Sequence, residues 1–440
     1  MKFPLIFSIL ILLVSCSFDT KSGIWDSGEP SKKEKSFLKD FEKLSYGEKV
    51  FNKIIPKKPG LNLLLSKQKS NDIWNDIYFK GSNNFINFEY SGFEQLIFKS
   101  KKLSKNKINK DILFSSGNII TSDNKGNLIV FSISQNQIVN KYNFYKKKFK
   151  KIEKILNMIV EKEIIYISDN IGYVYAYNYL ENKILWAKNY KIPFKSNLKI
   201  YENKLIASNQ NNDLYIFDKI SGEIIKLIPT EETKIKNDFV NNLSIRNEYC
   251  FFLNTYGSLY AINLSSQQID WYLNINQSLD FNPTSLFTSN QIVNFNDKIS
   301  VSSNNFLYIL EANKGSLLYK KNFSTYIKPV INNNYLFTIS KNNLLIAVNL
   351  KNGEIIYSYD INSKIADFLN TKKKTVRFKN MFIANNNILI FLENSYMLKF
   401  DINGEIIDVK KLPSKLKSSP IFINGKMIYL DSQNKISVLN

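Results

Sequence analysis

The fold is decided by a ten-residue stretch, which reads Asp169-Asn-Ile-Gly172-Tyr-Val-Tyr-Ala-Tyr-Asn178. Gly172 tolerates the backbone geometry of a tight turn, and the five residues after it are all apolar or aromatic. A strand with one solvated face alternates apolar and polar residues, whereas a strand covered on both faces is apolar throughout. The stretch therefore predicts a turn followed by a strand that is buried on both faces.

The same pattern occurs eight times in the chain. Its turn residue is always Gly, Asn or Ser, and an apolar or aromatic residue follows two and five positions later. The turn residues are 38 to 52 residues apart: Gly126, Gly172, Asn212, Gly257, Asn305, Asn343, Ser395 and Asn434. A period of this size is typical of the blades of a β-propeller.

A strand also precedes the turn, as at residues 164–167 and 249–253, and each repeat continues with a second turn and a third strand. The second turn lies ten residues after the first turn residue. Fourteen residues after the first turn residue, four of the repeats carry an aromatic: Trp186, Trp271, Tyr319 and Tyr357. Because their offset repeats, we interpret these aromatics as packing between blades rather than as ligand-stacking groups. A parallel β/α fold would need amphipathic helices in the gaps, which are too short and polar. The repeats predict an all-β, eight-bladed β-propeller over residues 81–440.

The two ends of the chain indicate how the ring closes. The eighth repeat stops at Asn440, six residues after its turn residue, so it lacks an outer strand. Residues 94–99 carry Leu96 and Phe98 at the spacing of that missing strand. We expect this N-terminal strand to complete the last blade and remove an open edge. Residues 85–90 are a surplus strand candidate that the repeat does not place.

The N-terminus predicts a lipoprotein signal peptide over residues 1–15. Lys2 precedes an uncharged run, residues 3–14, which is too short to span a bilayer as a helix. The run ends in Leu13-Val14-Ser15-Cys16, which resembles a bacterial lipobox. That resemblance implies lipidation of Cys16 and, with Ser17 after it, an outer-membrane anchor facing the periplasm. Residues 16–80 are polar without sustained alternation, so we expect a lipidated N-terminus and a tether.

Two repeats allow the family to be named. Residues 169–186 and 254–271 resemble the repeat of quinoprotein-type (PQQ-like) propellers. Eight such repeats behind a lipoprotein signal resemble the BamB family, the propeller lipoproteins of the β-barrel assembly (BAM) machinery. This resemblance implies a non-catalytic scaffold that binds the barrel-inserting outer-membrane protein (BamA-like) and its complex. It also implies that the scaffold assists the assembly of unfolded outer-membrane protein clients.

Composition excludes several classes of function. The chain has no histidine, and its two cysteines, Cys16 and Cys250, are too few for a disulfide framework or a thiolate metal site. A Ser-His-Asp triad and a His-ligated metal are therefore impossible. We predict no enzyme activity, catalytic residue, cofactor or metal. The net charge is +22, but only Arg246 and Arg377 are arginines, which disfavours a nucleic-acid partner.

Two alternatives stay open at this stage. A periplasmic ligand-binding or sensor propeller would bind a small molecule at the central mouth of the ring. A quinoprotein (PQQ) dehydrogenase would add calcium-binding carboxylates and an adjacent cysteine pair, and Cys250 has no neighbouring cysteine. We interpret Cys250 as a buried apolar residue, and Asp123 and Asp169 as groups that bond turn backbones.

The variable connections between repeats are the predicted contact surface. The longest of them contains residues 362–379. Two lysine-rich runs, 146–151 and 372–374 with Arg377, are either contact patches for an acidic surface or solvated loops.

Overall fold

The computed structural model describes residues 50–232, 239–276 and 287–440, and these residues form eight consecutive β-sheets arranged as blades. Each blade has four antiparallel strands, numbered here from the innermost, beside the central channel, to the outermost. The predicted eight-bladed propeller is confirmed. The sequence repeat contains three strands per unit, and the structure adds the innermost one, which is often only three residues long.

Two strands precede the blades in sequence: β1 (Asn87–Phe88) and β2 (Leu96–Lys99). Blade 1 consists of β3 (Leu113–Ser115), β4 (Asn118–Ser122), β5 (Asn127–Ser132) and β6 (Gln137–Asn143), and blade 2 of β7 (Leu156–Glu161), β8 (Ile164–Asp169), β9 (Tyr173–Asn178) and β10 (Lys183–Asn189). Blade 3 consists of β11 (Lys199–Tyr201), β12 (Lys204–Ser208), β13 (Leu214–Asp218) and β14 (Ile224–Ile228), and blade 4 of β15 (Asn242–Arg246), β16 (Tyr249–Leu253), β17 (Ser258–Asn263) and β18 (Gln268–Asn274).

Blade 5 consists of β19 (Val293–Phe295), β20 (Lys298–Ser302), β21 (Leu307–Glu311) and β22 (Leu317–Lys321), and blade 6 of β23 (Val330–Asn332), β24 (Tyr335–Ile339), β25 (Leu344–Asn349) and β26 (Ile355–Asp360). Blade 7 consists of β27 (Phe378–Ala384), β28 (Asn387–Leu392), β29 (Tyr396–Asp401) and β30 (Ile406–Lys411), and blade 8 of β31 (Ile421–Ile423), β32 (Lys426–Leu430) and β33 (Ile436–Leu439) with β2. A helix, α1 (Ile361–Leu369), connects blades 6 and 7. In the described part of the chain, no helix is long and apolar enough to cross a membrane.

The ring closes as predicted. Strand β2 is the outermost strand of blade 8 and pairs antiparallel with β33. Leu96 lies opposite Leu439 and Phe98 opposite Val438. The surplus candidate at residues 85–90 supplies β1, which pairs in parallel with the innermost strand of blade 7.

Aromatic side chains dock four of the blades onto the blade that follows, as their repeated offset predicts. The Trp186 indole of blade 2 donates from Nε1 to the Lys219 carbonyl of blade 3 at 3.0 Å. A Cβ atom added to Gly222 would lie only 2.6 Å from this ring, so the ring fills the space that a side chain would need. Trp271 bonds the Ala312 carbonyl in the same way at 3.1 Å and packs on the glycine of the following blade.

The two predicted turn-bonding aspartates also lie where expected. Asp169 Oδ1 accepts hydrogen bonds from the backbone N–H groups of Ile171, Gly172 and Tyr173 at 2.8–2.9 Å. Asp123 Oδ1 accepts from the N–H groups of Lys125 and Asn127, both at 3.0 Å. The prediction that these acids hold turns is confirmed.

The predicted tether, residues 16–80, extends too far along the chain. Residues from Val50 onward belong to the same compact unit as the blades. Ile55 forms a bridge with Ser358 on the outermost strand of blade 6, and both Trp74 and Phe79 are fully buried. The propeller unit therefore begins at Val50 rather than at residue 81. This part carries no repeat pattern in its sequence, because isolated bridges rather than periodic strands hold it in place.

Candidate functional site

The central channel is filled by the chain's own residues 71–91, called the channel segment below. It passes once around the channel and hydrogen-bonds to every blade in ring order, beginning and ending at blade 8. The partners, from blade 8 through blades 1 to 7, are Phe422 and Asn424, Phe114, Val160, Lys199, Ile245, Asn294, Ile331 and Asn385. The segment is thus an internal part of the ring, not a linker.

Aromatic packing fixes the channel segment in place. The rings of Trp74 and Phe79 are 4.7 Å apart between centroids, and Phe88 lies 5.1 Å from Phe79. The segment reaches the wall through Phe85, 4.5 Å from Phe382 of blade 7, and through Phe88, 5.1 Å from Phe422 of blade 8. Burying each such ring contributes about 1.5–3 kcal/mol to folding.

A buried ion pair locks the channel segment to blade 3. Lys199 Nζ lies 2.5 Å from Asp76 Oδ2, 2.6 Å from Asn83 Oδ1 and 3.0 Å from the Lys80 carbonyl. These three acceptors satisfy all three ammonium protons. Burial lowers the pKa of Lys199, while the Asp76 carboxylate opposes that shift.

The two faces of the ring differ in their loops. One face, called the entry face, carries the connections from each outermost strand to the next innermost strand, and the turns between second and third strands. The opposite exit face carries the two remaining turns of every blade. The predicted variable connection, residues 362–379, lies on the entry face and forms α1.

A cavity of about 670 Å³ opens at the mouth of the channel on the entry face. Its lining comes from the channel segment and from the starts of the innermost strands of several blades. Its aromatic and charged lining residues include Tyr78, Phe85, Lys110, Asp111, Tyr326, Lys328, Phe378, Lys379, Glu393 and Lys417. A concave site of this size, with aromatic walls and a few polar groups, is typical of ligand pockets.

Lysines dominate the charge of this cavity. Lys328 is buried, donates from Nζ to the carbonyls of Asn83 and Tyr78, and has its ammonium group 3.2 Å from the centroid of the Phe85 ring. Burial lowers the pKa of Lys328 well below its usual value. Lys379 donates to the Leu416 and Lys417 carbonyls. Burial, with the nearby charge of Lys110, lowers the pKa of Lys379 to about 8.

The acids of the cavity offset this charge only in part. Asp111 stays in contact with solvent inside the open cavity, yet the surrounding protein desolvates it and raises its pKa. Glu393 already faces a cation, because its carboxylate lies 3.9 Å from Arg377 Nη1. Lys110, Lys379 and Lys417 outnumber these two acids, so the cavity favours an anion even when Lys328, whose pKa burial lowers, is neutral.

Helix α1 forms a second feature of the entry face. Asp360 caps its N-terminus by accepting from Ser363 N at 3.1 Å, and Asn370 ends it in the left-handed conformation. A groove of about 310 Å³ separates α1 from blade 7 and has mostly apolar walls. Phe368 and Leu369 are 43% and 44% exposed beside it. Phe368 and Leu369 form the rim of α1, an apolar surface that is bordered by Lys372 and Lys374.

The remaining sequence-predicted residues lie apart from the cavity. Cys16 and the predicted signal peptide are outside the described residues. Cys250 is fully buried on β16, and burial raises the pKa of its thiol to about 12, as expected of a structural cysteine. Among the residues that the structure describes, no group of three or more His, Cys, Asp or Glu is arranged to hold a metal. The lysine run at residues 146–151 is mostly exposed.

The strand topology and the filled channel define the class of this protein: it is an eight-bladed β-propeller. A solved structure of BamB from Moraxella catarrhalis is similar, with a TM-score of 0.62 and 13% identity over 79% of this chain and 99% of that chain. The fold is thus BamB-like.

Other solved structures share the fold. The quinohemoprotein alcohol dehydrogenase from Comamonas testosteroni has a TM-score of 0.59 and 9% identity, over 83% of this chain and 80% of that chain. The computationally designed protein Ika8 has a TM-score of 0.59 and 11% identity, over 78% of this chain and 99% of that chain. No family model and no curated protein matches the sequence.

Proposed function

We propose that this protein is a non-catalytic scaffold lipoprotein of the β-barrel assembly machinery. In this proposal Cys16 carries the lipid, and the protein is anchored in the outer membrane facing the periplasm. It binds the barrel-inserting outer-membrane protein and assists the insertion of unfolded clients. The observation that carries the proposal is the similarity to BamB, which extends over 99% of the BamB chain.

The filled channel supports binding rather than catalysis as the role of the ring. Trp74, Phe79 and Phe88 are buried at the axis, so the chain itself takes up the inner part of the channel. A ring tied together in this way presents its loops with little ordering cost at each encounter. The rim of α1, with exposed Phe368 and Leu369, is the contact surface that the proposal favours.

Affinity purification after gentle detergent extraction tests the proposal. We expect the tagged protein to co-purify with the barrel-inserting protein, and its deletion to reduce the level of outer-membrane barrels. Palmitate labelling should be lost in Cys16→Ala. Isolation of the protein alone, with dye-linked dehydrogenase activity, would favour the enzyme instead.

A pair of surface variants locates the contact. Phe368→Asp places a charge on the rim of α1 and should reduce co-purification. Leu180→Asp is the matched control, because Leu180 is 70% exposed in a turn of the exit face. Equal recovery of the partner with both variants would argue against the α1 rim.

A further inference from the structure

We propose that the cavity at the channel mouth binds an aromatic carboxylate. The site is built from Lys110, Lys328, Lys379 and Lys417 together with the aromatic walls Tyr78, Phe85, Tyr326 and Phe378. This inference goes beyond the scaffold function and does not depend on it.

The charge of the cavity calls for an anion. Lys328 and Lys379 bond to backbone carbonyls, and Lys417 donates to the Asn434 side-chain oxygen at 2.7 Å. These acceptors are neutral, and none of the four lysines forms an ion pair with any carboxylate in the described ranges. A charged group held in a partly buried site is costly without a counter-charge. A carboxylate entering the cavity would supply that counter-charge through charge-assisted hydrogen bonds.

The walls of the cavity call for a flat apolar body beside the carboxylate. Tyr326 and Phe378 meet edge to face, with centroids 5.4 Å apart, on one side of the cavity. Tyr78 and Phe85 come from the channel segment and line it together with them. Aromatic rings prefer offset or edge contacts with other rings, so an aromatic ligand gains more here than an aliphatic one.

The position of Tyr78 is itself fixed by the ring. Gln291 Nε2, at the entry to blade 5, donates to the Tyr78 hydroxyl at 3.3 Å. Lys328, before blade 6, bonds to the Tyr78 carbonyl and lies over Phe85. The site therefore exists only when the channel segment is seated, and its walls are ordered before a ligand arrives.

An aromatic carboxylate can come from two sources. It can be a free small molecule, or it can be the C-terminal residue of a polypeptide that ends in an aromatic side chain. The groups that the cavity would bind, a carboxylate and an aromatic ring, are the same in both cases.

Calorimetric titration of the detergent-solubilised full chain tests the site. The probes are N-acetylphenylalanine, its neutral amide, and a Gly-Ser pentapeptide with a free C-terminal phenylalanine. We expect the acid to bind at least tenfold more tightly than the amide, as for a hydrogen bond to a charged group. Peptide binding at least as tight as that of the acid identifies a polypeptide C-terminus, and weaker peptide binding identifies a free small molecule. Equal affinity for acid and amide, or no binding of either, would overturn the proposal.

Lysine variants assign the binding to this cavity. Lys379→Gln and Lys110→Gln should each weaken binding of the acid about tenfold. Lys151→Gln is the matched control, since Lys151 is an exposed lysine outside the cavity. Lys110 is exposed, so its variant decides the matter even if Lys379→Gln alters folding. Unchanged affinity in the Lys110 variant would place any binding elsewhere and refute the site.

Discussion

At the scale of single residues, the docking of one blade on the next links two positions of the repeat. Four blades place an aromatic residue against the glycine of the following blade: Trp186 with Gly222, Trp271 with Gly315, Tyr319 with Gly353 and Tyr357 with Gly404. In the two blades where Asn140 or Lys226 replaces the aromatic, the next blade has Asn182 or Gln267 instead of glycine. The pairing is a steric one, because the aromatic ring fills the space of a side chain.

Gly222→Ala should therefore lower the free energy of unfolding, because the added methyl group overpacks the contact between blades. The loss should be about 1–3 kcal/mol larger than for a Gly→Ala change at a position where the methyl group meets no other atom. The added Cβ meets Trp186 at 2.6 Å. Gly117→Ala is the matched control, since Gly117 has a similar positive φ of 78° and nothing within 4 Å of its Cβ position. Urea unfolding of both variants separates ring contact from backbone strain. Equal losses would show that the aromatic ring does not require glycine.

Asp123 carries a pH-dependent contribution to stability. Burial alone raises its pKa, but hydrogen bonds from Asn106, Asn127 and Ser104 outweigh burial and lower it overall. A carboxyl whose pKa is lower in the folded state stabilises above its unfolded pKa, and this stabilisation is lost as the pH falls through the folded pKa. In Asp123→Asn, the amide NH2 group would face groups that themselves donate hydrogen bonds. We therefore expect the free energy of unfolding to fall by about 1–3 kcal/mol at neutral pH.

Urea unfolding of wild type and Asp123→Asn across the acid range measures this effect. The difference in free energy should shrink as the pH falls below the ordinary aspartate pKa of about 4. A difference that stays constant even as the pH falls well below about 4 would mean that the Asp123 carboxylate charge adds no stability.

At the scale of elements, the buried pair of Lys199 and Asp76 joins the channel segment to blade 3. Lys199→Met should destabilise the protein by about 3–5 kcal/mol, because it leaves the Asp76 carboxylate buried without its partner. Adding Asp76→Asn removes that charge and should restore part of the loss. A double-mutant cycle by urea unfolding measures the coupling, and additive losses would show that the two groups do not interact.

The sequence predicts the blades well and the channel segment poorly, for a physical reason. Blade strands repeat apolar residues at fixed offsets, and Leu96 and Phe98 fall on those same offsets although they lie at the other end of the chain. The channel segment has no period, because Asn83 and Asn84 reach carbonyls more than 150 residues away through single side-chain bonds. Its cluster of Trp74, Phe79, Phe85 and Phe88 was the available signal.

The cavity at the channel mouth could not be predicted for a related reason. Lys110, Lys328, Lys379 and Lys417 lie at or just before the first strands of four different blades, and only ring closure brings them together. Their surroundings include Tyr78 and Phe85 from the channel segment, which the repeat pattern did not place. A cavity does lie at the mouth of the ring, but its lining depends on contacts distant in sequence.

At the scale of the whole molecule, the channel segment should make unfolding cooperative around the ring. In a repeat protein, stability is mostly a sum of neighbouring contacts, and units can open one at a time. Here one segment bonds to all eight blades, so opening one blade disturbs an element that the others share. The innermost strands of all blades should therefore exchange their amide protons together.

Trp74→Ala tests this cooperativity, because Trp74 is 2% exposed and packs on Phe79, Phe85 and Phe88 at the axis. We expect a loss of about 3–5 kcal/mol in the free energy of unfolding. Hydrogen exchange measured by mass spectrometry should speed up in the innermost strands of all eight blades by a similar factor. Trp186→Ala is the comparison, since it removes a contact between blades 2 and 3 only and should increase exchange mainly there. Faster exchange confined to β3, the strand that bonds Trp74 directly, would show that the blades open independently and that the channel segment does not couple them.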